Sequence, residues 1–169
     1  MRDFVLSKDE KVLKEIKPST NLKRYLLITY FLFSLAIVHI YAIPLILGIT
    51  AANDVDGSVI LMIIFIYFLI SLLITKLLAN AAYNKYYYWI TNKRIISKKG
   101  IIGYKVVSTS IKRIADVTFS NTFLESISGI TSLRIQSIGS SQKVEGALYG
   151  VTNPEQISKL ISDLIEQNP

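Results

Sequence analysis

Lys93, Arg94, Lys98 and Lys99 follow closely on an aromatic run, Tyr86, Tyr87, Tyr88 and Trp89, with Tyr83 and Lys85 just ahead of it. Cations near an anionic bilayer surface attract its headgroups, each contributing about 1 kcal/mol. Tyr and Trp favour the membrane–water boundary because each joins an apolar ring to one polar handle. The stretch therefore reads as interfacial aromatics (Tyr86, Tyr87, Tyr88, Trp89) leading into a membrane-surface, anionic-lipid set (Lys93, Arg94, Lys98, Lys99). Ordinary positive-inside topology accounts for Lys85 and is an equal alternative for the other four cations.

Catalytic chemistry is hard to build from the remaining residues. With no cysteine, thiolate metal sites, disulfides and thiol nucleophiles are excluded. The P-loop spacing and the H-E-x-x-H pattern are both missing. The acidic residues of the polar half (Asp116, Glu125, Glu145, Glu155, Asp163, Glu166) are scattered and offer no acid–base pair. No catalytic, cofactor-binding or metal-binding set is read, and an enzyme is not expected.

The one histidine, His39, lies in a long apolar run. An ionisable group at membrane depth is a functional candidate by default. With no acidic partner in either apolar run, a proton relay has nothing to relay to. The expected role of His39 is structural, a hydrogen bond between helices to Tyr41, Tyr67 or Ser71.

Half of the 169 residues are hydrophobic and 18% are charged, with a mean hydropathy of +0.42. That is too apolar for an ordinary soluble domain. Residues 1–24 are charged, and Ser7-Lys8-Asp9-Glu10 has the form of a capping box ahead of Val12, Leu13 and Ile16. A short amphipathic helix ended by Pro18 is expected there, and no cleavable signal peptide is read. From Tyr25 to Asn53 there is no charged residue, and a second apolar run begins at Val59. About 20 such residues cross a bilayer, so a transmembrane hairpin is predicted over residues 25–82, with helices at about 25–50 and 59–82. Pro44 should kink the first helix, and Ala51–Ser58 should turn between the two. Lys76 would snorkel to the interface. Seven Lys/Arg precede the hairpin and none lies in its loop, which places both termini in the cytoplasm of a multi-pass cell-membrane protein. The net charge of +7 is explained by that rule without nucleic acid.

After the junction the period changes to that of strands. Tyr86–Thr91, Arg94–Lys98, Tyr104–Thr109, Ala115–Phe119, Ser132–Ile138 and Lys143–Tyr149 read as strands, with a turn at Gly139-Ser140-Ser141. Ala115, Val117 and Phe119 should share a buried face. Asn121–Gly129 reads as a helical turn closed by glycine. Asn153-Pro154 opens a last helix whose apolar stripe is Ile157, Leu160, Ile161, Leu164 and Ile165. Short strands ending in one amphipathic helix predict a small barrel or sandwich with the helix plugging one end, over residues 83–169.

At this point the chain resembles the small membrane proteins that carry a bacterial pleckstrin-homology-like domain. The residues that carry the likeness are Tyr88-Trp89-Ile90-Thr91-Asn92-Lys93-Arg94-Ile95-Ile96, then Gly100, Ile111–Ile114 with Asp116-Val117, Phe123-Leu124 through Gly129, and Gly150-Val151-Thr152-Asn153-Pro154. Glu10, Leu13 and Pro18 ahead of two membrane helices fit the same architecture. The resemblance implies an α+β membrane protein: a two-helix hairpin followed by two roughly orthogonal sheets capped by the helix Pro154–Gln167. Relatives that bind phosphoinositides use a K-x(n)-[KR]-x-R pattern, and Lys93-Arg94 with Lys98-Lys99 depart from that spacing, against specific phosphoinositide recognition.

The function expected from these readings is a non-enzymatic, membrane-anchored module for protein binding or self-assembly at the cytoplasmic face. Its partners would be membrane lipid and a protein or further copies of itself. The alternatives are an anionic-lipid sensor, or a transport or channel subunit whose helices oligomerise around His39. Intramembrane polar groups are too few to favour transport.

Overall fold

A computed structural model describes residues 4–53, 56–137 and 144–167. The chain opens with a strand, β1 (Val12–Ile16), followed by α1 (Asn21–Ile37), a widened π segment (Val38–Ala42), α2 (Ile43–Asn53) and α3 (Gly57–Tyr83). Three strands come next: β2 (Tyr87–Thr91), β3 (Arg94–Lys99) and β4 (Lys105–Ser110). A 3-10 turn (Ile111–Arg113) then leads into β5 (Ile114–Ser120), α4 (Phe123–Ser128), β6 (Ser132–Ser137), β7 (Val144–Leu148) and α5 (Pro154–Gln167). The strands form two antiparallel sheets, β1-β2-β3-β4 and β5-β6-β7.

The expected N-terminal amphipathic helix is a strand. Ser7 and Glu10 do interact as the capping-box spacing implies, with the Ser7 N–H donating to Glu10 Oε2 at 2.8 Å. Asp9, however, takes a left-handed φ of 62°, so the chain leaves the helical path at that turn. The next five residues alternate, Val12, Lys14 and Ile16 turning inward while Leu13 and Glu15 are exposed. β2 decides the outcome. Four of its residues, Tyr88 to Thr91, are buried, and its outer edge would leave backbone groups unpaired without β1. The sheet-bearing unit therefore does not start at residue 83. Its first strand comes from residues 12–16, and both long helices are inserted between two paired strands.

Ile16, Tyr88, Ile90, Ile95, Leu133, Ile135 and Leu148 meet between the sheets, and α5 closes the core with Ile157, Ile161 and Leu164. Leu160 and Ile165 pack on the same cluster, completing the expected stripe. No barrel is closed by hydrogen bonds among the described residues. In β5 the expected alternation fails. A bulge between Ile114 and Asp116 shifts the register, Ile114 is buried, and Ala115 and Phe119 are exposed. The expected turn at Gly139-Ser140-Ser141 lies outside the described residues.

The long helices pack against each other, with the Ser34 and Ser71 hydroxyls 2.5 Å apart and Phe31 edge-on to Phe68. Residues Asn21–Ile49 and Gly57–Tyr83 are each long and apolar enough to cross a membrane. The break expected at Pro44 is the π segment just ahead of it. Proline cannot donate to the carbonyl four residues back, and the N–H of Ile43 reaches Val38, five residues back. α2 runs on to Asn53, and Asp56 caps α3 by accepting the Ser58 N–H, so the predicted Ala51–Ser58 turn is partly helical; residues 54–55 lie outside the description.

A second cluster joins the helices to the sheets: Leu22, Leu26, Ala79, Ala82 and Ile130, bordered by Tyr25, Tyr83, Tyr86 and Tyr149. Gly150 makes the close approach there. Its φ is +64°, and a Cβ would stand 3.1 Å from Leu22 Cβ.

Candidate functional site

Strand direction sorts the candidate residues. β1 leads into α1 and α3 leads into β2, and Ile16 pairs with Tyr88, so one end of the first sheet adjoins the helices. β3 runs from Arg94 at the far end to Lys99 at the helix end, and β4 runs back from Lys105 to Ser110. The four candidate cations are therefore split. Lys98 and Lys99 lie at the helix end with Lys105, whereas Lys93 and Arg94 lie at the opposite end, about 13 Å away at the usual strand rise.

The aromatic run is also divided, and most of it is not interfacial. Tyr88 is fully buried, and its hydroxyl accepts the Tyr149 N–H at 2.9 Å and donates to the Tyr149 carbonyl at 3.2 Å. Burial pushes its ionisation far up, so it stays a neutral anchor. Trp89 is buried on the other face of β2, against Phe4 at 5.0 Å and stacked on Tyr87 at 5.9 Å. Tyr86 packs on both clusters, and its hydroxyl is pushed up to about 12 chiefly by burial. Tyr87 alone keeps a boundary position, half-buried with the Lys17 ammonium 5.6 Å from its ring centre. β2 is an inner strand covered on both faces, and that draws its rings into the core.

At the helix end, the β3–β4 connection is held by Lys85, whose Nζ donates to the carbonyls of Ile101, Ile102 and Gly103. Lys98 lies 4.3 Å over the Tyr104 ring. Ile102 is 90% exposed beside these cations. α4 packs against α1, and the Asn21 side chain donates to the Gly129 carbonyl. α4 is fixed by a full capping box between Thr122 and Glu125 and by Gly129 at a φ of 69°. Glu125 is fully buried. Burial alone would raise its pKa, but hydrogen bonds from the Thr122 N–H and the Ser132 hydroxyl hold it low. Phe123 and Ile127 on the outer side of α4 are exposed.

At the far end, Arg94 donates to Glu10 through Nε at 2.7 Å and Nη2 at 3.0 Å, and from Nη2 to the Val5 carbonyl. The Thr91 hydroxyl also donates to Glu10, at 2.9 Å. Burial works to raise the Glu10 pKa, yet Arg94, Ser7 and Thr91 together bring it down to about 2. Arg94 is therefore a neutralised structural partner rather than a spare surface cation. Beside it lies a polar cavity of about 320 Å³ lined by Ser7, Lys93, Arg94, Ser108, Thr109, Ser110 and Arg113. Sequence reasoning missed Ser7, the hydroxyl run Ser108–Ser110 and Arg113, although that run and the arginine three residues later are visible in the chain.

His39 is exposed and borders a shallow depression with Leu35, Ala36 and Ile40. The expected hydrogen bond to Tyr41, Tyr67 or Ser71 is not formed; Ser34 is the partner of Ser71. Among the described residues no group of His, Asp or Glu is arranged to hold a metal ion.

A model of the family described as Bacterial PH domain matches residues 27–165, beginning inside α1 and leaving β1 outside the match. Neither the curated proteins nor the solved structures compared return a match. PH-like domains commonly bind lipids or proteins and are generally non-catalytic. With two sheets, a capping C-terminal helix and a family match over most of its length, this chain belongs to the bacterial PH domain family.

Proposed function

We propose that the chain is a membrane-anchored, non-enzymatic binding module, its PH-like domain held against the cytoplasmic face of the membrane by an inserted hairpin. Residues 25–82 are the anchor, and β1 together with residues 83–169 is the domain. Both termini are cytoplasmic, in keeping with the seven cations ahead of the hairpin and their absence from its loop. The domain binds a protein partner or further copies of itself on the side turned away from the bilayer.

One observation carries this reading. Among the described residues outside the hairpin, the large apolar residues left exposed are Val5, Leu13, Ile102, Tyr104, Phe119, Phe123 and Ile127. Of these, Ile102 and Tyr104 lie in the β3–β4 connection beside Lys98, Lys99 and Lys105, and Phe123 and Ile127 lie on α4, which packs against α1. Exposed apolar side chains rimmed by cations fit the boundary of an anionic bilayer, where rings and aliphatic tips enter and ammonium groups stay outside. Such a collar orients a domain that the hairpin already holds, leaving the far end facing water.

The same collar favours a second reading, an anionic-lipid sensor. Both readings are tested by placing tryptophan at Ile102 or Phe123 in a Trp89→Phe background and measuring quenching by brominated lipid. Quenching at both positions supports the membrane-facing collar. Absence of quenching at both would overturn it. Headgroup-selective quenching would favour the sensor.

A further inference from the structure

We propose that the groove between α1 and α3 seats one acyl chain of an anionic glycerophospholipid, with the lipid phosphate between Lys99 and Lys105; this rests on the anchoring proposed above. The groove holds about 390 Å³. Phe33 and Ile37 line it from α1, Ile74 and Leu78 from α3, and Ile101 from the β3–β4 connection. The hydroxyls of Ser34, Ser71 and Thr75, also on its wall, bond within the helix pair. Ser34 donates to the Phe31 carbonyl at 2.9 Å and meets the Ser71 hydroxyl at 2.5 Å, and Thr75 donates to the Ser71 carbonyl at 2.8 Å. With those groups satisfied, the space suits an apolar occupant.

Its dimensions select a hydrocarbon chain over a helix. On α3 the groove runs from Tyr67 to Leu78, about 16 Å at the usual helical rise. That is about one leaflet of a hydrocarbon core roughly 30 Å thick. Spread over this length, the volume gives a cross-section of about 24 Å², against roughly 80 Å² for a helix 10 Å across. An extended hydrocarbon chain, about 4 Å thick by carbon contact distances, fits.

Charge selects the lipid. The ladder sets Lys99 directly opposite Lys105 at the helix end of the first sheet, and Ile101 follows Lys99 by two residues. Like charges opposed across a ladder destabilise it. Among the described residues, no hydrogen bond or ion pair engages either ammonium group. An anion between the two removes the repulsion, and a lipid phosphate is the anion that arrives with an acyl chain attached. Lys85 holds the connection in place through the carbonyls of Ile101, Ile102 and Gly103, which keeps the end of the groove beside the lysine pair. Basic pockets beside membrane helices on the cytoplasmic side are where anionic headgroups bind.

The test uses the full chain in detergent, titrated with dioleoyl phosphatidylglycerol or dioleoyl phosphatidylcholine and read by native mass spectrometry. One phosphatidylglycerol per chain should be retained, about tenfold or more tighter than phosphatidylcholine. Lys99→Gln and Lys105→Gln should each weaken it about fivefold, and together about thirtyfold, the factors expected for cations beside anionic lipid. Leu78→Trp and, separately, Ile74→Trp fill the groove and should displace the lipid while melting like the parent. Leu69→Trp, exposed on α3 and not on the groove wall, and Lys93→Gln, at the far end of β3, should leave retention unchanged. Equal retention of the two lipids overturns the proposal, as does unchanged affinity in the double lysine variant or retention in both groove variants. A lipid-free dimer that is lost when the groove is filled would overturn it too, giving the space to a second copy. Release of the chain from membranes by carbonate would defeat the anchoring and the site together, whereas an anchored chain without selective retention defeats the site alone.

Discussion

Glu10 and Arg94 are 84 residues apart in the chain and 2.7 Å apart in the fold. Between them lie both long helices, so the ion pair closes the sheet around an insertion. The pairing of β1 with β2 does the same along the backbone, from Val12 with Thr91 to Ile16 with Tyr88. A helical pair inserted this way enters and leaves the domain through two adjacent strands, which restricts its tilt relative to the sheets more than a single terminal connection would.

The first prediction concerns what counts as a complete domain. A fragment of residues 83–167 lacks β1 and should show no cooperative melt, because β2 would keep an unpaired edge and lose Ile16 from its core face. Joining residues 4–18 to 86–167 through a short Gly-Ser turn should restore a cooperative transition. Adjacent strands are only about 4.8 Å apart, so the turn can close. Cooperative melting of the shorter fragment by circular dichroism would show that β1 is dispensable.

Acid should act through Glu10. Its folded pKa is depressed from the usual 4.5 to about 2, so its contribution is fully present above the unfolded value and is lost as pH falls from about 5 towards 2. The shift corresponds to at most about 3 kcal/mol. Glu10→Gln should lower stability by about 2–3 kcal/mol at neutral pH, since it leaves Arg94 without its carboxylate. The variant's stability should also vary less with pH across that window. Parallel pH profiles for the two proteins in urea melts would rule out this linkage.

The depth of the α5 contribution can be read at Ile161, which is fully buried between the sheets. Ile161→Asp should cost about 4 kcal/mol or more, because a charge with no partner enters the core. Ser162→Ala on the exposed side should be nearly neutral. Similar urea midpoints for the two variants would remove α5 from the core.

Much of this fold is legible in the sequence where the pattern is local and periodic. The stripe from Ile157 to Ile165 and the two apolar runs need no distant partner to be recognised. β1 is different. Val12, Leu13 and Ile16 fit a helical face as well as a strand, and what decides is an edge of β2 more than 70 residues on. The aromatics mislead for a related reason: Tyr88 and Trp89 carry the same rings whether they meet lipid or a core, and only the two-sided cover of β2 separates the cases. The split of the cations was open to reasoning. Lys93-Arg94 and Lys98-Lys99 bracket a single strand, and a strand carries its ends apart. The cavity was not, because Ser7, Arg113 and the Ser108–Ser110 run come together only once β1 has joined the sheet.

Orientation across the membrane gives the last prediction. Because the chain has no cysteine, a single introduced thiol reports without background. Ser58 begins α3 at the turn between the helices, and Ser162 is exposed on α5. In intact cells Ser58→Cys should react with a membrane-impermeant maleimide added outside, while Ser162→Cys should react only after permeabilisation. The cation distribution dictates this direction, since translocating seven Lys/Arg would oppose the bias that sets topology. Depth within the bilayer follows from the same assay. A thiol at Ile102 or Phe123 should label slowly even after permeabilisation if the collar sits in the headgroup region, and as fast as Ser162→Cys if it faces water. Reversed labelling of Ser58 and Ser162 would put the domain outside the cell, and with it every partner assigned to the cytoplasm.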